Sequence, residues 1–341
     1  MCLYPKIIIN KKYLANKKNK GIVPKCEDMR TKYVPVGCGK CWECRKQKAR
    51  QWQIRLYEEF KADNDAHFIT LTFSPENYYK LKNKYNCKSE NEVATIAIRL
   101  TLEKVRKEKK KSIKHWFITE LGHDNTKRLH LHGITWNKEY TECLLKKWEF
   151  GITFIGNYMS EKAISYITKY MTKPDTENKN YIGKVLCSPG IGKNYINSIN
   201  AKNNKYNEEN TNESYRLKDG TKLNLPIYYR NKIYTEDERE KLWIYKLNDG
   251  TKYVCGEKVN INNEIEYFKL LEWHRRDKAK AMGYDYEKWE NEHYRETQLK
   301  MKKYTESNGN KKSIEKAKKE GKNDLDFIKY KNLPEREEIP F

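Results

Sequence analysis

Between Glu43 and Ala62 the chain has neither glycine nor proline, and Ala49, Trp52, Leu56 and Phe60 recur every three or four residues. That spacing predicts a helix. Asp63, Asn64 and Asp65 then predict a turn. The β-branched and aromatic run His67-Phe68-Ile69-Thr70-Leu71-Thr72-Phe73, closed by Ser74-Pro75, predicts a strand. Val93, Ile96, Leu100 and Val105 mark one side of an amphipathic helix over 91–109. Strands are expected over 113–121 and 128–136, joined through the polar stretch 122–127 as an antiparallel hairpin. Phe150 to Ile155 predicts a fourth strand. Ser160 can cap a helix running from Glu161 to Thr172, stopped by Pro174. This order implies an α+β arrangement, an antiparallel sheet with helices packed on one face. Beyond it the pattern weakens over 176–264, a charged helical region is expected over 264–302, and the Lys/Glu/Asn/Gly-rich stretch 307–324 reads as a mobile tail. The chain thus divides into a Cys-rich segment with a basic helix (1–65), a core (66–176), an irregular extension (177–264) and a charged helix with a tail (265–341).

Charge narrows the partners. The 341 residues carry 70 Lys plus Arg against 47 Asp plus Glu, a formal charge of +23. Nucleic acid is the first polyanion such a surface suggests. An abundance of Lys, Asn, Ile and Tyr also fits AT-rich coding, which weakens that inference without removing it. No apolar run approaches the roughly 18 residues of a membrane span, and the first 20 residues lack the apolar stretch of a secretion signal. A soluble, non-exported protein with reduced thiols is the expectation, since its nine cysteines are odd in number.

Candidate chemistry concentrates in Arg128-Leu129-His130-Leu131-His132-Gly133. Alternation along a strand puts His130 and His132 on one face and Leu129 and Leu131 on the other. Two imidazoles so spaced can share a divalent cation; they also fit a merely solvated face. Glu120, near the end of the preceding strand, can approach them across the hairpin. A His, His, Glu set suits Mg²⁺ or Mn²⁺ carrying a phosphate. On the later helix Tyr166 and Tyr170 share a face at i, i+4, with Lys169 and Lys173 repeating that spacing beside them. Ala163, Ile167 and Met171 can form its buried side. Two amphipathic tyrosines packed at a helix–sheet boundary would look the same.

Taken together, these segments resemble the HUH endonucleases. His130-Leu131-His132 matches their His-hydrophobic-His motif, Phe68 to Phe73 resembles their first motif, and Ser165 to Tyr170 resembles the two-tyrosine motif of rolling-circle initiators, in the same order. More narrowly, the chain resembles the replication initiators of gokushovirus-type microviruses, small single-stranded DNA phages. Cys38 to Gln47, Pro189 to Lys193 and Leu225 to Tyr229 carry that likeness, which spans about residues 1 to 235. The resemblance implies a central antiparallel sheet of about five strands flanked by helices, with a Cys-rich N-terminal element and a helical C-terminal extension. It implies metal-dependent nicking of single-stranded origin DNA by tyrosine attack, leaving a 5′-phosphotyrosine and a free 3′-hydroxyl. Strand transfer then recloses the circle. Tyr166 and Tyr170 would attack, in an order the sequence leaves open. Lys169 or Lys173 would steady the phenolate or the phosphate. Host helicase and DNA polymerase would be partners, in the host bacterial cytoplasm.

Cys38, Cys41 and Cys44 form a C-x-x-C-x-x-C run that suits zinc, with Cys26 as the nearest fourth ligand and Cys2 as another; an iron–sulfur cluster is the alternative. Arg45, Lys46, Lys48, Arg50 and Arg55, with Trp42 and Trp52, could grip single-stranded DNA or simply form a solvated helix face. The Pro189-Gly190-Ile191-Gly192-Lys193 stretch lacks Walker spacing, so no helicase is expected. Rival readings are a plasmid initiator, a relaxase with His115 or His123 as third histidine, an HUH transposase, or a non-enzymatic zinc-stabilised DNA-binding protein.

Overall fold

The computed structural model describes residues 2–122, 128–156, 159–173, 178, 181–260 and 263–288. The expected turn over 123–127, His123, the Pro174 helix stop, the helical region beyond 288 and the 307–324 tail lie outside the described residues. Two compact units are formed, one by residues 1–7 and 34–286, the other by 8–33 and 287–341. In the second, a 3₁₀ turn at Lys11–Tyr13 and another at Met29–Thr31 are capped by Asn10 and Asp28, whose side chains accept from the backbone N–H groups of Lys12 and Arg30.

In chain order the elements are β1 (Lys6–Ile9), β2 (Tyr33–Val36), α1 (Trp42–Ala62), β3 (Ala66–Thr72), α2 (Pro75–Lys84), α3 (Glu90–Lys109), β4 (His115–Leu121) and β5 (Leu129–Trp136). There follow α4 (Lys138–Lys147), β6 (Thr153–Ile155), α5 (Glu161–Lys169), β7 (Val185–Cys187), α6 (Ile199–Lys202), β8 (Ser214–Arg216) and β9 (Lys222–Asn224). The last are α7 (Ile227–Ile233), α8 (Glu236–Asp249), β10 (Thr251–Val254), β11 (Glu257–Asn260) and α9 (Glu264–Ala281). Five strands form one antiparallel sheet in the order β6-β3-β5-β4-β7. The two histidines therefore stand on its central strand.

Helices cover both faces of this sheet, not one as the pattern suggested. Strand alternation explains why. Ile69, Leu71, Phe117, Leu129 and Leu131 bury one face with Val93, Ala97 and Ile98 of α3 and Cys143 and Leu144 of α4. Trp116, Ile118, Ile134 and Trp136 bury the other against Ala49 and Leu56 of α1 and Ile164 and Ile167 of α5. Sheets apolar on both sides need two covering layers. Ile164, rather than Ala163, completes the buried side of α5. Two helices were not predicted. Among the residues of α2 only Leu81 is buried, and α4 buries only Thr141, Cys143 and Leu144, so neither shows a clear apolar stripe.

The weak stretch over 176–264 also acquires structure. Tyr195, Tyr215, Leu225, Tyr229, Tyr234 and Leu242 build a third core against Ile54 of α1. The glycine-containing loop at 189–193 is part of that packing and not a phosphate cradle. Gly192 has φ +74°, Glu59 accepts from its N–H at 2.6 Å, and Tyr229 donates to its carbonyl at 2.8 Å. The charged helix expected from 264 ends at Ala281. Gly283 adopts φ +70°, and the N–H groups of Gly283 and Tyr284 bond back to Lys280 and Ala279, a Schellman stop.

Candidate active site

Register decides what gathers on the α1/α5 face. Thr70 lies opposite His132 on one side of β5 and Ile118 on the other, while Thr72 and Glu120 flank His130. The row at Ile118 is still under α5; the next is polar and emerges beyond it. Gly122 leaves room for the His130 ring, since a Cβ there would sit 3.0 Å from Cε1.

The predicted residues are largely brought together. His132 Nε2 lies 2.8 Å from Glu120 Oε2, and Lys173 Nζ lies 3.2 Å from Oε1 of the same carboxylate. Burial pushes the Glu120 carboxyl up, but His132 and Lys173 outweigh it and hold it below the ordinary range. Burial pulls the His130 imidazole down, against the bond from the Arg128 backbone, so it stands neutral more readily than a free histidine. The Tyr170 ring stacks on His132 at 4.3 Å with planes 4° apart. The Tyr170 hydroxyl donates to that of Tyr166 at 2.6 Å. Although α5 ends at Lys169, Tyr170 keeps helical dihedrals (φ −60°, ψ −20°), and bonds from Thr172 and Lys173 to the Lys169 carbonyl continue the turn. That continuation keeps both tyrosines on one side.

Lys169 departs from the expected pairing. Its side chain is exposed and makes no hydrogen bond or ion pair among the described residues, so only Lys173 reaches the cluster. Thr70 was not singled out by sequence reasoning, yet its hydroxyl lies 3.1 Å from His132 Nδ1. Phe68, one row further in, meets the His132 ring at 6.3 Å and the Tyr166 ring at 6.5 Å. Strand alternation was the available signal for both, but it needed the partner strand to be known.

Two imidazoles and a carboxylate suit a hard divalent cation in kind, and Glu120 and His132 are close enough to bridge one. His130 stands apart. Its ring centroid is 6.3 Å from that of His132, and it does not join Glu120 and His132 in a set of donor atoms all within 4.8 Å of one another. Closing three ligands round one ion requires His130 to change rotamer. His115, by contrast, sits at the other end of β4 and bonds the Ile113 carbonyl and the Ser188 hydroxyl, so it serves the fold rather than the histidine pair.

Arg45 and Arg55 are not available to DNA as the basic helix suggested. Arg45 is buried and donates to the Lys40 carbonyl at 3.0 Å. Arg55 stacks between Trp52 and Tyr228, 4.1 Å from each ring, and donates to the Ile191 carbonyl. Lys48 and Arg50 remain exposed.

Cysteine placement corrects one ligand. The sulfurs of Cys38, Cys41 and Cys44 lie with that of Cys2, all within 4.8 Å of one another, a cluster that fits structural zinc. Cys26 is not among them; its thiol donates to the Asp28 carbonyl at 3.2 Å within its own loop. Sequence separation favoured Cys26, but the return of the chain after Val36 brings Cys2 to the run instead.

Comparison with known proteins agrees with the sheet and its motifs. Residues 66–175 match the family model of the replication-associated protein ORF2, which also takes in the phage gene-two proteins. The chain is also 26% identical over 233 residues to replication-associated protein VP4 of Bdellovibrio phage phiMH2K, covering 61% of this chain and 70% of that protein. No solved structure matches. Together the two matches support a phage rolling-circle replication initiator. No helix among the described residues is long and apolar enough to cross a membrane.

Proposed function

We propose that this protein starts rolling-circle replication of a small single-stranded DNA phage by nicking its origin with a tyrosine. The observation that carries this reading is the contact of Tyr170 with both His132 and Tyr166, which puts two phenols beside a His–Glu pair on the central strand. His130, His132 and Glu120 would hold Mg²⁺ or Mn²⁺, which when bound neutralises a non-bridging phosphate oxygen.

Tyr166 attacks first in this reading. It is 53% exposed and accepts a hydrogen bond from Tyr170, which stabilises its phenolate. Tyr170 is the worse first nucleophile: burial, the bond to Tyr166 and the Glu120 charge all push its phenol up. Attack forms the bond from Tyr166 Oη to phosphorus and breaks the bond to the 3′-oxygen, which leaves as a hydroxyl after taking up a proton. Tyr170 then cleaves the regenerated origin, and the released 3′-hydroxyl attacks the first linkage. Lys173, already on Glu120, keeps positive charge near the phosphate. The bond energy is retained in the phosphotyrosine, so resealing needs no ATP.

The test is incubation with labelled single-stranded origin DNA and Mn²⁺. A denaturant-resistant protein–DNA adduct is expected, lost in Tyr166→Phe/Tyr170→Phe while DNA binding persists. Binding without an adduct under any divalent ion would sink the nicking reading.

A further inference from the structure

The thiol cluster is built as a metal knuckle. At a Zn–S distance of about 2.3 Å, a tetrahedral thiolate set has edges of about 3.8 Å. Cys2 and Cys41 sulfurs lie 3.8 Å apart, and those of Cys38 and Cys44 lie 3.9 Å apart. Neither separation is a disulfide, whose sulfurs lie about 2.05 Å apart. An iron–sulfur cluster puts several metal atoms between its thiolates and needs them farther apart.

The backbone is arranged for sulfur that carries charge. Lys40 and Cys41 donate N–H groups to Cys38 Sγ at 3.4 and 3.3 Å, round a turn in which Gly39 has φ +79°. Tyr4 and Cys38 likewise donate to Cys2 Sγ, each at 3.3 Å. Cys41 is the N-cap of the 21-residue α1 yet makes no side-chain cap bond, so its sulfur is left to the cluster at the positive end of the helix. Gly37 is packed against the site, where a Cβ would lie 3.1 Å from Cys44 Sγ.

The segment that supplies Cys2 is also tied to the far end of the chain. Arg275 of α9 donates to the Leu3 carbonyl at 2.9 Å and lies 4.7 Å over the Tyr4 ring. Leu3 is buried. Three stretches distant in sequence, residues 2–4, the start of α1 and α9, thus meet where no large apolar core joins them.

We propose that Cys2, Cys38, Cys41 and Cys44 bind one zinc ion as a tetrathiolate, and that this ion fastens residues 2–4, and through them α9, to the start of α1. The four thiols lose their protons to solvent as the metal–sulfur bonds form. This inference does not rest on the nicking reading and is read out without DNA.

Metal analysis of the full-length protein is expected to find one zinc per chain. The cobalt-substituted protein is expected to show thiolate-to-metal charge transfer and tetrahedral d–d bands. Cys2→Ser should weaken zinc binding at least tenfold, and Cys26→Ser should leave it unchanged. Chelation should raise hydrogen exchange at residues 3–4 and 265–281 while β3, β4 and β5 stay protected. Absence of metal, stoichiometric iron, or full zinc retention in Cys2→Ser overturns the site, and unchanged exchange at α9 after chelation overturns the fastening role. Should Cys2→Ser fail to fold, the cobalt spectrum of the unaltered chain still decides, since fewer than four thiolates gives a weaker charge-transfer band.

Discussion

At the scale of single residues, His132 is the most constrained side chain of the site. Its Nε2 faces Glu120, its Nδ1 faces the Thr70 hydroxyl, and its ring face carries Tyr170. A hydroxyl both donates and accepts, so Thr70 can hold either neutral tautomer of the ring. Giving Nε2 to a cation requires the proton on Nδ1, where Thr70 then accepts it. Thr70→Val is therefore expected to lower nicking by about 10- to 100-fold. The effect should appear as a raised Mn²⁺ requirement at unchanged DNA affinity; a loss confined to DNA binding would remove Thr70 from this role. The two phenols are unequal in the same way. Tyr166→Phe should abolish the first adduct, whereas Tyr170→Phe should keep it and lose strand closure, measured with a substrate carrying one nick site. His115 supplies a pH prediction. Burial holds its imidazole below the ordinary value, outweighing its bond to the Ile113 carbonyl. The unfolded chain takes up that proton first, so this contribution to stability is present above about pH 6.5 and is lost as pH falls. Tm should drop from pH 7.5 to pH 5.5, and His115→Gln should flatten the slope.

At the scale of elements, what was legible in the sequence depended on how cleanly each element alternates. β3, β4, β5 and α3 stand where period-two and period-3.6 patterns place them, because each buries a full side in the core. The same alternation makes the shared face of His130 and His132 readable, and the hairpin makes Glu120 readable. Thr70 depends on β3 pairing with the far edge of β5, a non-local fact no window of residues contains. Cys2 was harder still, since it reaches the thiol run over 36 residues through a chain reversal. β7 has only three residues, none fully buried, and carries no pattern at all. The loop at 189–193 shows the opposite risk, a suggestive motif whose glycine serves packing. A Cβ on Gly192 would lie 2.6 Å from the Arg55 carbonyl oxygen and 2.7 Å from the Tyr229 hydroxyl, at a backbone angle alanine disfavours. Gly192→Ala is expected to cost about 2–4 kcal/mol in denaturant unfolding. A loss under 1 kcal/mol would mean the loop is not pinned as described.

At the scale of the whole molecule, charge and architecture act together. With +23 formal charges, the chain should bind single-stranded DNA by counterion release, the logarithm of affinity falling by about 0.7 per phosphate contacted for each unit of log salt. A slope near zero between low and moderate salt would speak against a polyanion partner. Arg45 and Arg55 are spent inside the fold, so Arg55→Ala should reduce stability more than it reduces this slope. The longest helix carries the remaining consequence. α1 leaves the thiol cluster, meets Ser165 through Gln53 and Tyr57, and ends where Asp63 takes Lys114 and Trp136. Its 21 residues span about 31 Å, and one inserted residue would turn everything past it by about 100°. Descendants of this gene are therefore free to vary the outward letters of that rod, but an insertion or deletion within it would put its two ends out of phase.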